Sequence, residues 1–179
     1  TNDVYLRDNP GGGNYDHEVA GIGRVDVNNI HNDAQGTGMV RILNPTNLND
    51  GEFLMWGHDN GVAEATNTTD VPGIVAARFD RIWRVNERTT LNTACNVGSI
   101  DMRWDLNGLG AITASDLRLL IDDDNDGVFS DETPIAGATD LGGGIYQFAG
   151  VTGGAGGIRN SRRFTIGTIN ATQTPLPID

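Results

Sequence analysis

The chain has 179 residues and a net charge of −12, and 37% of its residues are hydrophobic while 20% are charged. This length suits one domain with a sizeable core, and the acid excess argues against nucleic acid and anionic membrane surfaces as partners, since both are negatively charged. The single cysteine, Cys95, excludes an internal disulfide, and no apolar stretch approaches the ~18 residues that span a bilayer.

Short runs that alternate apolar and polar residues, separated by Gly, Asn, Asp and Pro, predict an all-β chain. We expect strands, in chain order, at residues 18–25, 38–43, 52–57, 78–85, 99–106, 117–121, 144–148 and 162–169. The clearest of them is 99–106, because Ile100, Met102 and Trp104 fall on one face while Asp101 and Arg103 fall on the other. With about eight to ten strands in total, the pattern indicates an antiparallel β-sandwich, Ig-like or jelly-roll-like.

Three segments follow from this pattern. Residues 15–171 are expected to form the β-sandwich domain, and residues 1–14 an N-terminal extension or strand. Residues 172–179 contain Pro175 and Pro177, which favour extended backbone, so we expect a C-terminal extended strand or linker there.

The strongest chemical signal is a D-x-D-x-D-G loop that follows the predicted strand 117–121. Asp122, Asp124 and Asp126 hold the alternate positions, and Gly127 permits the sharp turn that lets their carboxylates converge. Calcium takes six to eight oxygen ligands, which this spacing suits. The expected ligand set is completed by the carbonyl of Val128, by Asp131 (with Ser130 as an alternative) and by Glu132.

The loop departs from an EF-hand, because Thr133 stands where that motif has glutamate and a strand-like run precedes it. We therefore expect a β-sandwich calcium loop, with a solvated acidic turn as the alternative. Six acidic residues within 122–132 would repel one another without a cation, which favours the metal site. A second loop at 105–116 has similar spacing, but Leu109 cannot be a ligand there, so we expect a plain turn.

No catalytic motif stands out, and we expect no enzymatic activity. The histidines of Asp16-His17-Glu18 and His58-Asp59 lie beside acids, but neighbours in a strand point to opposite faces. His58 is therefore interpreted as a turn residue. The tryptophans could form a sugar-binding platform, but Trp83 and Trp104 fall on apolar faces, which favours core packing.

Several motifs occur in an order that is similar to a known domain family. They are EVAGIGR (18–24), FLMWGH (53–58), RIWRV (81–85), SDLRLLID (115–122), RFTIGT (163–168) and PLPID (175–179). Together they resemble a β-sandwich domain common in large secreted and surface proteins of Bacteroidota, often exported by the type IX secretion system, over residues 15–179. The resemblance implies an extracellular or cell-surface location beside lectin-like, adhesive and sorting domains, with no enzymatic activity of its own. The acidic loop here is longer than that family's usual turn, so the calcium prediction depends on this sequence alone.

We therefore predict a non-catalytic secreted or cell-surface structural and adhesive module, stabilised by Ca²⁺. Its expected partners are proteins, including further copies of itself in a homopolymer, or surface glycans. One alternative is a subunit of an extracellular filament or sheath that exchanges a terminal strand, either 172–179 or the first ~15 residues. Another is a carbohydrate-binding module, which requires at least one of Trp56, Trp83 and Trp104 to be exposed on a concave face.

Overall fold

The predicted all-β fold is confirmed by the computed structural model, which describes residues 3–172. Its strands are β1 His17–Asp26, β2 Asn29–His31, β3 Asp33–Ala34, β4 Val40–Leu43, β5 Glu52–His58, β6 Ala65–Asn67, β7 Ala77–Phe79, β8 Trp83–Thr89, β9 Ile100–Asp105, β10 Leu117–Ile121, β11 Thr139–Gly142, β12 Ile145–Val151 and β13 Arg163–Thr168. A 3-10 turn, Ala114–Asp116, precedes β10. None of the described residues forms a helix that is long and apolar enough to cross a membrane.

The strands form two antiparallel sheets. The first has the order β2-β1-β5-β8-β13-β7-β6, with β10 paired to the other edge of β13, and the second has the order β11-β12-β9-β4-β3. Strand β13 lies at the centre of the first sheet, since it pairs with β10 on one side and with β8 and then β7 on the other. This position places the residues just after β10 beside the first residue of β13.

The tryptophans form part of the core between the sheets. The rings of Trp83 and Trp104 meet edge to face with centroids 5.1 Å apart, and Phe164 stacks on Trp83 at 5.9 Å. Trp56, Trp83 and Trp104 are each at most 1% exposed. The expected core packing is therefore correct, and the sugar platform built on exposed tryptophan is wrong because none of the three reaches the surface.

The alternation predicted for β9 is present, with Ile100, Met102 and Trp104 buried and the residues between them half-buried. Strand β10 is buried on both of its faces, since Leu120 on the second face is as buried as the residues of the first. Leu120 packs with Val75 and Phe129 in a second small cluster. The loop after β10 supplies Phe129, so that loop covers the second face of the strand.

One predicted strand is wrong. Residues 78–85 divide between β7 and β8, because the backbone from Asp80 to Ile82 is bonded outside the ladder. The N–H of Arg81 donates to the carbonyl of Val62 at 3.0 Å, and the N–H of Ile82 donates to Asp59 Oδ1 at 3.1 Å. The Thr165 hydroxyl donates to the carbonyl of Arg81 at 2.8 Å. These contacts come from a distant loop and from β13, which the local alternation could not indicate.

The N-terminal segment packs against the domain without forming a strand among residues 3–16. Tyr5 is 5% exposed, and its hydroxyl donates to the carbonyl of Tyr15 at 2.5 Å. The N–H of Leu6 donates to the side chain of Asn86 in β8 at 2.5 Å. These bonds hold the N-terminal segment against the first sheet of the same chain. The predicted C-terminal strand or linker at 172–179 lies outside the described residues, except for Thr172.

Candidate metal centre

The acidic loop begins inside the sheet. The N–H of Asp122 donates to the carbonyl of Arg163 at 3.0 Å, which extends the β10–β13 ladder by one residue and buries the Asp122 side chain completely. The chain then reverses at Asn125 and Gly127, whose φ angles of 66° and 93° lie in the left-handed region. Glycine adopts that region without a Cβ penalty, which explains its place in the motif.

The three alternate aspartates meet as the sequence predicts. One carboxylate oxygen from each of Asp122, Asp124 and Asp126 lies within 4.8 Å of the other two. Each aspartate also accepts a backbone N–H from within the loop: Gly127 donates to Asp122 Oδ2, Asp126 to Asp124 Oδ1 and Val128 to Asp126 Oδ1, at 2.7 to 3.1 Å. These bonds hold the loop closed and leave the second oxygen of each carboxylate available.

The most informative atom of the site is Asp122 Oδ1. It is buried and has no hydrogen-bond partner within residues 3–172. The other oxygen of the same carboxylate accepts from both Gly127 and Arg163. Most buried polar atoms in folded proteins are satisfied, so an unsatisfied carboxylate oxygen indicates an absent donor or cation.

Arginines from β13 and the preceding turn offset part of the negative charge. Arg163 Nη1 lies 2.8 Å from Asp122 Oδ2, and Arg162 pairs with Asp123. Burial acts to lower the pKa of Arg163, but its hydrogen bonds to Asp122 and Tyr15 outweigh this and raise it above the ordinary value. The other four acidic residues of the loop form no ion pair within the described part of the chain; they are Asp124, Asp126, Asp131 and Glu132.

The other two predicted carboxylate ligands, Asp131 and Glu132, are not part of the converging group. Glu132 Oε1 accepts the N–H of Asp123 at 2.6 Å, and Asp131 is exposed. Burial raises the pKa of Glu132, and the negative charge of nearby aspartates raises it further against the effect of that N–H. Val128 is exposed, and its N–H bonds to Asp126. The structure therefore brings together three of the five predicted carboxylates, Asp122, Asp124 and Asp126.

Two residues that support the loop were missed by the sequence analysis. Asp70 Oδ1 accepts the N–H groups of Phe129 and Ser130 at 2.8 and 3.0 Å, and Arg78 holds the other Asp70 oxygen at 2.7 Å. Asp70 lies about fifty residues before the loop, and nothing in its local sequence marks this role. It fixes the far end of the acidic loop to the segment that precedes β7.

A second group of titratable residues also joins distant strands. His58 is 1% exposed and ends β5, so its interpretation as a turn residue is wrong. Its Nδ1 accepts the N–H of Asn60 at 2.9 Å, so Nε2 carries the proton and donates to Glu18 Oε2 at 3.0 Å. Burial, followed by the charge of Arg81, lowers the pKa of His58. Because both ring nitrogens of His58 are hydrogen-bonded, this geometry favours a structural role for the His58–Glu18 pair.

The comparisons with known proteins identify a family without a described activity. A family model for a domain of unknown function, DUF8202, matches residues 4–152. No curated protein and no solved structure matches the chain. The matched residues include the N-terminal segment, the strands β1 to β12 and the whole acidic loop.

Proposed function

The chain belongs to the DUF8202 family, and we propose that it is a non-catalytic structural or adhesive module of a secreted or cell-surface protein, stabilised by calcium in the acidic loop. One observation carries the calcium part of this proposal. Asp122 has a buried carboxylate oxygen without a hydrogen-bond donor, in a group of three converging carboxylates. Leaving such an oxygen unsatisfied costs free energy, and a bound cation removes that cost.

Calcium fits the donor set better than a transition metal does. The three converging groups are all carboxylates, and hard oxygen ligands suit calcium and magnesium rather than zinc or copper. Calcium also accepts irregular geometry and six to eight ligands, whereas magnesium requires a near-ideal octahedron. In our proposal, Asp122, Asp124 and Asp126 supply the first ligands and water completes the shell, with the Val128 carbonyl, Asp131 and Glu132 as further candidates.

A cation in this loop would stabilise more than the loop itself. The loop covers one face of β10 through Phe129, and it contacts β13 through Arg163. Asp123 accepts the N–H of Gly156 at 3.0 Å, which connects the loop to the glycine-rich turn before β13. An ion that binds only the folded state therefore adds its binding free energy to the stability of the domain.

Thermal unfolding in calcium and in excess chelator tests the proposal. With calcium at about 100 times its dissociation constant, linkage predicts about 2.7 kcal/mol of added stability and a higher Tm. Asp124→Asn removes one ligand charge and should abolish most of the calcium-dependent shift. The matched control is Asp26→Asn, because Asp26 is also exposed and also accepts a backbone N–H two residues ahead, from Asn28 at 2.8 Å.

The proposal fails if calcium leaves the Tm of the wild-type protein unchanged. It also fails if Asp26→Asn reduces the calcium-dependent shift as much as Asp124→Asn does, because the effect would then reflect the net charge alone. Isothermal titration calorimetry with calcium alone would report the stoichiometry, which we expect to be one ion per chain.

The location and the partners are supported by sequence rather than by the site. The resemblance to domains of type IX secreted proteins supports a secreted or surface location, and the partners we propose are proteins, including further copies of the chain, or surface glycans. Exchange of the N-terminal segment is disfavoured because Tyr5 and Leu6 are bonded to their own domain. The absence of an exposed tryptophan among the described residues also disfavours a tryptophan-based sugar site.

A further inference from the structure

The outer face of the second sheet carries an unusual pair of arginines. Arg41 in β4 and Arg103 in β9 are directly opposite each other in the antiparallel ladder. Side chains in this relation have Cβ atoms about 5 Å apart, and like charges there are destabilising. The chain has 12 basic residues against 24 acidic ones, so a repulsive pair of cations is not a consequence of composition.

The two arginines are not equally neutralised. Arg41 forms a two-point ion pair with Asp33, with both N–O distances 2.6 Å. Arg103 forms no ion pair in residues 3–172; its Nε donates to the neutral side chain of Gln147 at 2.6 Å. That bond fixes the guanidinium on the sheet while its two Nη groups donate to no described residue. Such a conflict with local electrostatics is typical of a functional position.

The pair lines a cleft of about 220 Å³. Two rows of side chains form its floor, because the register places Arg41 and Arg103 in one row and Asp105 and Ile145 in the next. Other residues on its walls are Gln35, Met39 and Leu141. The cleft therefore offers guanidinium donors, one carboxylate acceptor and an apolar wall within the space of one small ring.

We propose that this cleft binds an acidic sugar, a hexuronate residue of a glycan chain, whose carboxylate is held by the two Nη groups of Arg103. Arg41, which is already paired with Asp33, offers one further donor through its Nη1. A guanidinium matches a carboxylate with two parallel hydrogen bonds. The sugar hydroxyls would donate to Asp105, and the apolar face of the ring would contact Ile145 and Leu141.

The surroundings favour a sugar over an acidic peptide. Asp105 lines the cleft and Asp33 adjoins it, so a chain with closely spaced carboxylates meets repulsion beside the arginines. A hexuronate brings one negative charge to the ring together with several hydroxyl donors, which suit the carboxylate of Asp105. The site shares no residue with the acidic loop, so it stands independently of calcium binding.

The test is isothermal titration calorimetry in calcium-free buffer, because uronate chains bind calcium themselves. Trigalacturonate and trimannuronate are the probes, the methyl ester of trigalacturonate is the uncharged control, and tetraglutamate is the peptide control. We expect saturable binding of at least one uronate, and binding at least about tenfold weaker for the methyl ester, which loses charge-assisted hydrogen bonds.

Variants assign the binding to the cleft. Arg103→Gln should weaken uronate binding about tenfold or more, and Arg103→Lys should weaken it less because the charge remains. The control is Arg118→Gln, since among residues 3–172 Arg118 donates only to the carbonyls of Ser115 and Leu117, and it lies on the other sheet. Arg103→Gln removes the repulsion with Arg41, so it should unfold at a denaturant concentration no lower than that of the wild type, which separates binding from structure.

Three results would each overturn the proposal. They are no binding of either uronate, equal binding of the acid and its methyl ester, and equal binding by wild type and Arg103→Gln. Stronger binding of tetraglutamate than of the uronates would replace the sugar with an acidic peptide as the ligand. None of these results bears on the calcium site, whose test is the unfolding experiment above.

Discussion

A buried acid in the centre of β8 makes the stability of this domain depend on pH. Glu87 is fully buried; its Oε1 accepts the N–H of Val97 at 2.7 Å, and its Oε2 lies 3.7 Å from Arg159 Nε. Burial raises the pKa of Glu87 from 4.5 to about 7, against the lowering effects of that N–H and of Arg159. Arg159 is 40% exposed, so water weakens its attraction for the carboxylate.

The sign of the pH effect follows from this raised pKa. Between pH 4.5 and about pH 7 the folded chain holds a proton on Glu87 that the unfolded chain has lost, so stability falls as the pH rises. Each pH unit in that window costs about 1.4 kcal/mol, so the folded state at pH 8 is about 3 kcal/mol less stable through this residue than at pH 4. Above pH 7 the contribution is constant.

The variant Glu87→Gln tests this reasoning, because glutamine keeps an acceptor for Val97 and does not titrate. We expect the free energy of unfolding of wild type minus that of Glu87→Gln to decrease by about 3 kcal/mol from pH 4.5 to pH 8. Urea denaturation followed by tryptophan fluorescence measures it. Glu64→Gln, at a half-buried acid with no side-chain partner in residues 3–172, is the control for the loss of one charge. A wild-type-minus-variant difference that stays flat across this range would refute the raised pKa.

Two further substitutions test the packing around the acidic loop. Arg163→Gln leaves the buried carboxylate of Asp122 without its ion pair and should cost about 3 kcal/mol in chelator, with part of the loss recovered on adding calcium; an equal loss in both conditions would contradict a cation at this carboxylate. Phe129→Ala empties the cluster with Leu120 and Val75 and should cost about 3 kcal/mol in urea denaturation; a loss below about 1 kcal/mol would mean that the loop does not cover β10 in solution.

Most strands could be predicted because apolar and polar residues alternate along their own sequence. The observed β10 has the predicted bounds; β5 differs from prediction by one residue at one end, and β1, β9 and β13 differ by one residue at each end. The run 78–85 failed because its alternation continues across Asp80–Ile82, where Asp59, Val62 and Thr165 take up the backbone hydrogen bonds. Because these partners lie far away in the sequence, the apolar–polar pattern of 78–85 does not show where the strand is interrupted.

The sequence by itself determined the all-β class and the convergence of Asp122, Asp124 and Asp126, because both depend on spacings of a few residues. Only the tertiary structure decided that Asp122 is buried with one oxygen unsatisfied, since that depends on the extension of the β10–β13 ladder. It likewise decided that Arg41 stands opposite Arg103. The register between strands sixty residues apart is set by packing of the whole core. It therefore cannot be predicted from the spacing of residues within one strand.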